Sequence, residues 1–303
     1  MCKNRLLVAV MVISLACWGL IALEAAEYKP DEVTVALWHF NEGSGGIFAD
    51  TSGNGNDGTI TNAGWSANGK YGACLDFSVG NDVDQVPDAD SLDFGSEDSF
   101  TIEAWVKFPN TGTEQRIVTK GWGPYIGLSM FADGSFAGGL YGPNIDGISG
   151  WPNPWVISPG GYNDNQWHHV AFIRDRDAGK IKLYVDEQLK SENVDVTGDL
   201  SNGWTVAIGA HHSGGSPAKG LIDEVRISRV NRKDRVGLLE DRIAVLEATL
   251  TAGVGLTKSE VQAMIDTSLD YDPLTGKDAI DTIAEIEEAI SKPGASGISR
   301  YGK

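Results

Sequence analysis

Between residues 31 and 230 apolar and polar positions alternate with a period of two. Clusters of Gly, Asn, Asp and Pro interrupt the pattern every eight to fifteen residues. The stretch FTIEAWVKF (100–108) places Phe100, Ile102, Ala104, Val106 and Phe108 on one face, and Thr101, Glu103, Trp105 and Lys107 on the other. KIKLYVD (180–186) sets Ile181, Leu183 and Val185 against Lys180, Lys182 and Tyr184. WHHVAFIRD, WTVAIGA and LIDEVRIS repeat the theme. Many short half-buried strands with polar turns predict two antiparallel sheets packed face to face, one sandwich of about a dozen strands over 31–232.

After Arg232 the period changes. Val236, Leu239, Ile243, Leu246 and Leu250 recur at spacings of three and four, a heptad seam with Val and Ile at a and Leu at d. This predicts a short coiled-coil helix over 233–252 that pairs two copies through 236–250. An amphipathic helix lying against the sandwich is the alternative, because two heptads are short for a free coiled coil. Gly253 and Gly255 end that helix, and TKSE (257–260) is a capping box. Two further helices are expected over 257–292, and a disordered tail over 293–303. DYDPLTGKDAID (270–281) is a poor calcium loop, with Thr275 where Gly is required and Asp281 where a bidentate Glu is required.

Charge removes one class of partner. A net charge of −18 gives no basic surface for phosphate, so nucleic acid is excluded. Residues 1–25 carry a charged start (Lys3, Arg5), an apolar stretch LLVAVMVISLA and small residues near Ala25, the pattern of a signal peptide. A secreted or cell-surface protein is expected. Ser14 stands where a lipoprotein signal wants Leu, which argues against a lipid anchor at Cys17. Cleavage leaves Cys74 as the only cysteine, so no disulfide within the chain is expected, and Cys74 reads as a half-buried structural thiol.

GNGNDG (53–58) has the letters of a dinucleotide-binding turn without the setting, since no buried strand feeds it and no helix follows. What remains is a glycine-rich loop crowded with oxygens, among them Asp50, Asn54 and Asp57. In LIDEVRIS, Asp223 shares parity with Val225 and Ile227, so its carboxylate is expected to start the last strand pointing inward and to need a partner.

The order ALWHFNEGSG, DTSGNGNDGT, GKYGACLDF, DSFTIEAWVK, NQWHHVAFIRD, KIKLYVDEQL, WTVAIGA, GLIDEVRISRVNR resembles the laminin G-like domains of the concanavalin A-like lectin/glucanase superfamily. The resemblance covers the β territory and none of the tail, and it implies an all-β jelly-roll sandwich. One departure is Glu187 after Asp186, where the family turn usually carries Gly. The resemblance also implies a calcium, often structural, where first and last strands adjoin. Asp50, Asn54 and Asp223 are the candidate ligands, with carbonyls of the loop, and Glu42 is a weaker one. The alternative is a turn whose carboxylates bond only to backbone N–H groups.

Hydrolases of that superfamily carry alternating Glu and Asp on one strand, and no Glu-x-Asp-x-Glu occurs here. NDVDQVPDADSLD (81–93) reads as a solvated acidic loop. His168–His169 and His211–His212 are strand neighbours that face opposite ways, so they read as structural. Trp122, Tyr125, Trp151, Trp155 and Tyr162 lie in turn-rich, proline-containing segments, where they either stack on sugar rings or cap the core. Trp38, Trp105 and Trp167 are assigned to packing. The expected function is a non-catalytic binding module for a glycan, with an extracellular protein as the alternative ligand and a glycoside hydrolase with an unrecognised acid pair as the third.

Overall fold

In a computed structural model of the chain, the described residues are 27–61, 63–78, 84–145, 152–211 and 213–233. They form two antiparallel sheets, a jelly-roll sandwich as the alternation predicts. The first sheet contains β1 (Thr34–Trp38), β4 (Gly64–Ser66), β5 (Cys74–Asp76) and β7 (Phe100–Lys107). It is completed by β12 (His168–Asp175), β13 (Lys180–Val185), β14 (Gln188–Val194) and β16 (Leu221–Ser228). Its order is β14-β13-β12-β7-β16-β5-β4, with β1 also paired to β16. The second sheet contains β2 (Ile47–Phe48), β3 (Gly58–Thr59), β6 (Asp84–Val86) and β8 (Gln115–Gly121). Beside them run β9 (Tyr125–Met130), β10 (Phe136–Tyr141), β11 (Trp155–Ile157) and β15 (Val206–Ile208), in the order β11-β10-β9-β8-β15-β6-β3-β2. Several of the sixteen strands are two or three residues long, too short for alternation to reveal them, which is why the sequence suggests about a dozen.

The core lies between the sheets and takes the residues the alternation assigns to it. Phe100, Ile102, Ala104, Val106 and Phe108 line it together with Ile181, Leu183 and Val185, and Trp38 is fully buried in the same core. Gly138 faces the same layer, where a Cβ would come within 2.2 Å of the Phe172 ring. Cys74 is fully buried rather than half-buried, and desolvation pushes its thiol up to about 12.

One parity expectation is overturned. Asp223 pairs with Trp105 and Arg226 with Glu103, so on β16 Glu224 and Val225 together oppose the single residue Ala104 on β7. This is a β-bulge, and Glu224 takes it up with φ +50. The extra residue shifts the alternation, so Ile222, Val225 and Ile227 point into the core while Asp223 takes the outer face with Trp105. Asp223 is therefore buried outside the sandwich core, beneath the turn that carries Lys70 and Tyr71.

The expected signal peptide (1–25), coiled-coil seam (236–250), helices over 257–292 and disordered tail (293–303) lie outside the described residues.

Candidate ligand-binding site

The GNGNDG loop is built by hydrogen bonds to its own chain. Asp50 Oδ1 accepts from the N–H groups of Leu37 (3.0 Å) and Ser52 (2.8 Å). Its Oδ2 accepts from Ser52 Oγ (2.8 Å) and the Asn56 N–H (3.0 Å). A carboxylate has about four lone-pair positions, and all four are taken. Asn54 turns its amide nitrogen to the carbonyls of Thr34 and Val35. The glycines serve the backbone: Gly53 and Gly55 have φ +89 and +77, which L side chains rarely adopt, and a Cβ on Gly58 would sit 1.9 Å from the Phe48 ring.

Asp223 has a different set of partners. Its Oδ2 accepts from the N–H groups of Lys70 (2.7 Å) and Tyr71 (3.0 Å), and Oδ1 from that of Glu224 (2.9 Å). Leu37, which binds Asp50, pairs with Arg226, three residues further along β16. The two carboxylates thus stand roughly 10 Å apart along the strand. The expected calcium set Asp50, Asn54 and Asp223 is not brought together, and these residues do not fit the ion. Glu42 accepts from the Ala49 N–H instead.

The outer face of the first sheet carries a buried charge network. Arg226 Nε and Arg232 both approach Glu103, at 2.8 and 3.8 Å, and His169 Nε2 reaches the other oxygen at 3.1 Å. Tyr28 covers Arg226, with the guanidinium 4.0 Å from its ring centroid. Glu224 takes the Tyr28 N–H and His39 Nδ1. Glu27, His39 and Glu224 bring one ligand-type atom each within 4.8 Å of one another, with His39 Nδ1 2.8 Å from Glu224 and 3.6 Å from Glu27. His168 bonds Asp186 and Asp164 on the opposite side from His169, so neither histidine is available as a pair. Asp186 and Glu187 hold φ +47 and +64, and Glu187 reaches His169 Nδ1 at 3.1 Å. That contact is what the departure from Gly provides.

The aromatic candidates divide by exposure. Trp122, just after β8, is 66% exposed, and its ring meets His211 edge-on at 5.2 Å. Tyr125 is buried, stacks on His211 at 6.2 Å and accepts from Arg116 Nη1 at 2.9 Å. Trp155 lies half-buried across Gly139, with Nε1 on Asn153. Tyr162 packs on Phe136 at 5.4 Å and belongs to the core margin. Trp151 lies outside the described residues. Trp122 is the most exposed of the described candidates. Sequence reasoning passed over Trp204, 45% exposed before β15, and Tyr141, which pairs with Tyr125.

The acidic stretch 81–93 is solvated only in part where the structure describes it, with Asp88 and Asp90 exposed. Asp84 is buried in β6 and accepts from the Thr61 N–H, while Asp88 and Asp93 clamp the buried ammonium of Lys120 at 2.6 and 3.0 Å.

Residues 78–235 match the laminin G model of the concanavalin A-like lectin/glucanases superfamily. The chain belongs to this superfamily. Among solved structures the sandwich is similar to the binding domain of Paraclostridial Mosquitocidal Protein 1, at 15% identity and a TM-score of 0.53 over 69% of this chain and 52% of that one. It is also similar to the botulinum neurotoxin serotype G binding domain, at 13% identity and a TM-score of 0.51 over 65% and 48%. The chain thus spans about half the length of these structures, and at such identity the likeness is one of fold. No curated protein matches the chain. Superfamily membership leaves function to the site, since this fold hosts lectins and hydrolases alike.

Proposed function

We propose that this chain is an extracellular, non-catalytic binding module whose ligand is a glycan. The observation that carries the reading is the exposed ring of Trp122, which meets His211, itself stacked on Tyr125, at one end of the second sheet. A flat apolar face on a rigid turn is suited to stacking on a sugar ring at small entropic cost. Both toxin fragments of the same fold are binding domains, which supports a binding role. The test is a glycan array probed with the full chain and with Trp122→Ala. Binding that is lost in the variant, with an unchanged melting temperature, supports the reading. Silence across neutral and charged glycans refutes it.

A protein ligand is the second reading. Leu189 and Val194 are exposed on the edge strand β14, with Val196 beyond it and Ile157 exposed on β11, whose Trp155 carbonyl accepts from Asn193. Self-association through 236–250 would multiply weak affinity at each head by effective concentration. Light scattering with and without residues 233–303 tests it, and a monomer in both refutes it.

A further inference from the structure

A second exposed tryptophan lies close to a carboxylate that no sequence pattern marked. Lys120, the penultimate residue of β8, is buried, and its ammonium holds four oxygens: Asp88 Oδ1, Asp93 Oδ1, and the carbonyls of Asn202 (2.8 Å) and Trp204 (3.1 Å). The turn Asn202-Gly203-Trp204 is thereby tied to the strand end from beneath. It is also closed on itself, because the Trp204 N–H donates to Asn202 Oδ1 at 3.1 Å and Asn202 N–H donates to Asp93. The result is a rigid backbone presenting the Trp204 ring to solvent.

Asp88 is fixed at the same anchor. Its Oδ1 is bound to Lys120, while Oδ2 accepts no hydrogen bond among the described residues, and its side chain is 36% exposed. The residue between Asn202 and Trp204 is glycine, at a backbone conformation any residue could adopt. A Cβ there would stand 3.8 Å from Asp88 Oδ2, so glycine leaves the approach to that oxygen open. An oriented acceptor beside an exposed ring is the pairing that reads a sugar: the ring covers its C–H face and the carboxylate takes hydroxyl protons. Nearby cations are already matched, Lys120 by two carboxylates and Arg229, which reaches the Asp93 carbonyl, by Asp98 at 2.7 Å. With one carboxylate in excess locally and a net charge of −18 overall, a carboxylate or sulfate on the ligand would be repelled.

We infer that Trp204 and Asp88 form a subsite for an uncharged sugar residue, which makes the ligand a neutral polysaccharide. This rests on the glycan-binding reading and adds to it a ligand class and two residues.

The test is affinity electrophoresis of the full chain in gels containing galactomannan or a neutral β-glucan, against gels containing polygalacturonate or alginate. Retardation is expected in a neutral gel only. Trp204→Ala and Asp88→Asn should each weaken it by roughly tenfold, as loss of an anchoring contact does. Trp204→Ala serves as the folding-safe variant because its ring is exposed, and an unchanged circular dichroism spectrum accompanies both. Retardation by the acidic polymers, or neutral binding undiminished in both variants, overturns the subsite while leaving the broader reading intact. If binding is lost in Trp122→Ala but kept in the other two, the ring beside His211 is the site and Trp204 is not. No retardation in any gel overturns both.

Discussion

Glu103 and Arg226 stand opposite each other on β7 and β16, and their side chains meet at 2.8 Å on the outer face of the first sheet, both buried. Removing one partner of such a pair strands the other charge away from water. Glu103→Gln is expected to cost about 3–5 kcal/mol, because the buried Arg226 and His169 both bond that carboxylate. Urea unfolding of the variant measures it, and a loss under about 1 kcal/mol, the scale of a surface pair, would contradict the account.

Stability is expected to decline from about pH 5 to pH 8. Burial would lower His169, but its hydrogen bond to Glu103 and its 3.1 Å ion contact with Glu187 outweigh that and raise it. His39 is raised in the same way, by Glu224 against its burial. Stabilisation by a raised histidine is full below its unfolded value, about 6.5, and is lost as pH rises through the folded value. Burial pushes Asp223 up to about 7 and raises Glu224 as well. The unfolded chain releases those protons first, so rising pH favours unfolding between about 4 and 7. On the acid side, the His169 ring 3.1 Å away holds Glu187 down at about 2, so its contribution is present above its unfolded value and lost as pH falls toward 2. Melting temperatures across pH 3–9 check the profile, and Asp223→Asn should flatten its limb between pH 4 and 7.

Calcium is expected to leave the melting temperature unchanged, whether added or chelated, because the four acceptor positions of Asp50 are filled by the chain. Asp50→Ala should cost about 2–3 kcal/mol through the unmet N–H groups of Leu37, Ser52 and Asn56. A calcium-dependent rise of several degrees would show that the loop rearranges around the ion.

Gly139→Ala is expected to lift the Trp155 ring, since the new Cβ would stand 2.5 Å from it. Gly138→Ala, one residue away, meets Phe172 in the core and should instead destabilise by about 1–3 kcal/mol. Tryptophan emission separates the two: a red shift is expected for the first variant with little loss of stability, and the reverse for the second.

The β architecture was legible because alternation is local: β7 and β13 bury the residues their period assigns. The failure at Asp223 has a physical cause. A bulge needs only one extra residue, and Glu224 carries no turn signal, so nothing in LIDEVRIS announces the change of parity. Trp122 was legible as a ring in a turn. Trp204 and Asp88 were not, because they are 116 positions apart and meet only through the pairing of β6 with β15 and the shared Lys120 ammonium.

The amino-acid pattern alone therefore settled the class of fold and the faces of β7 and β13, since periodicity is a property of neighbours. Which carboxylates are spent on backbone N–H groups, which rings reach solvent and which distant residues share a cation were decided by tertiary contacts. Hydrogen-bond saturation and burial belong to the packed arrangement, and side-chain identity leaves them open.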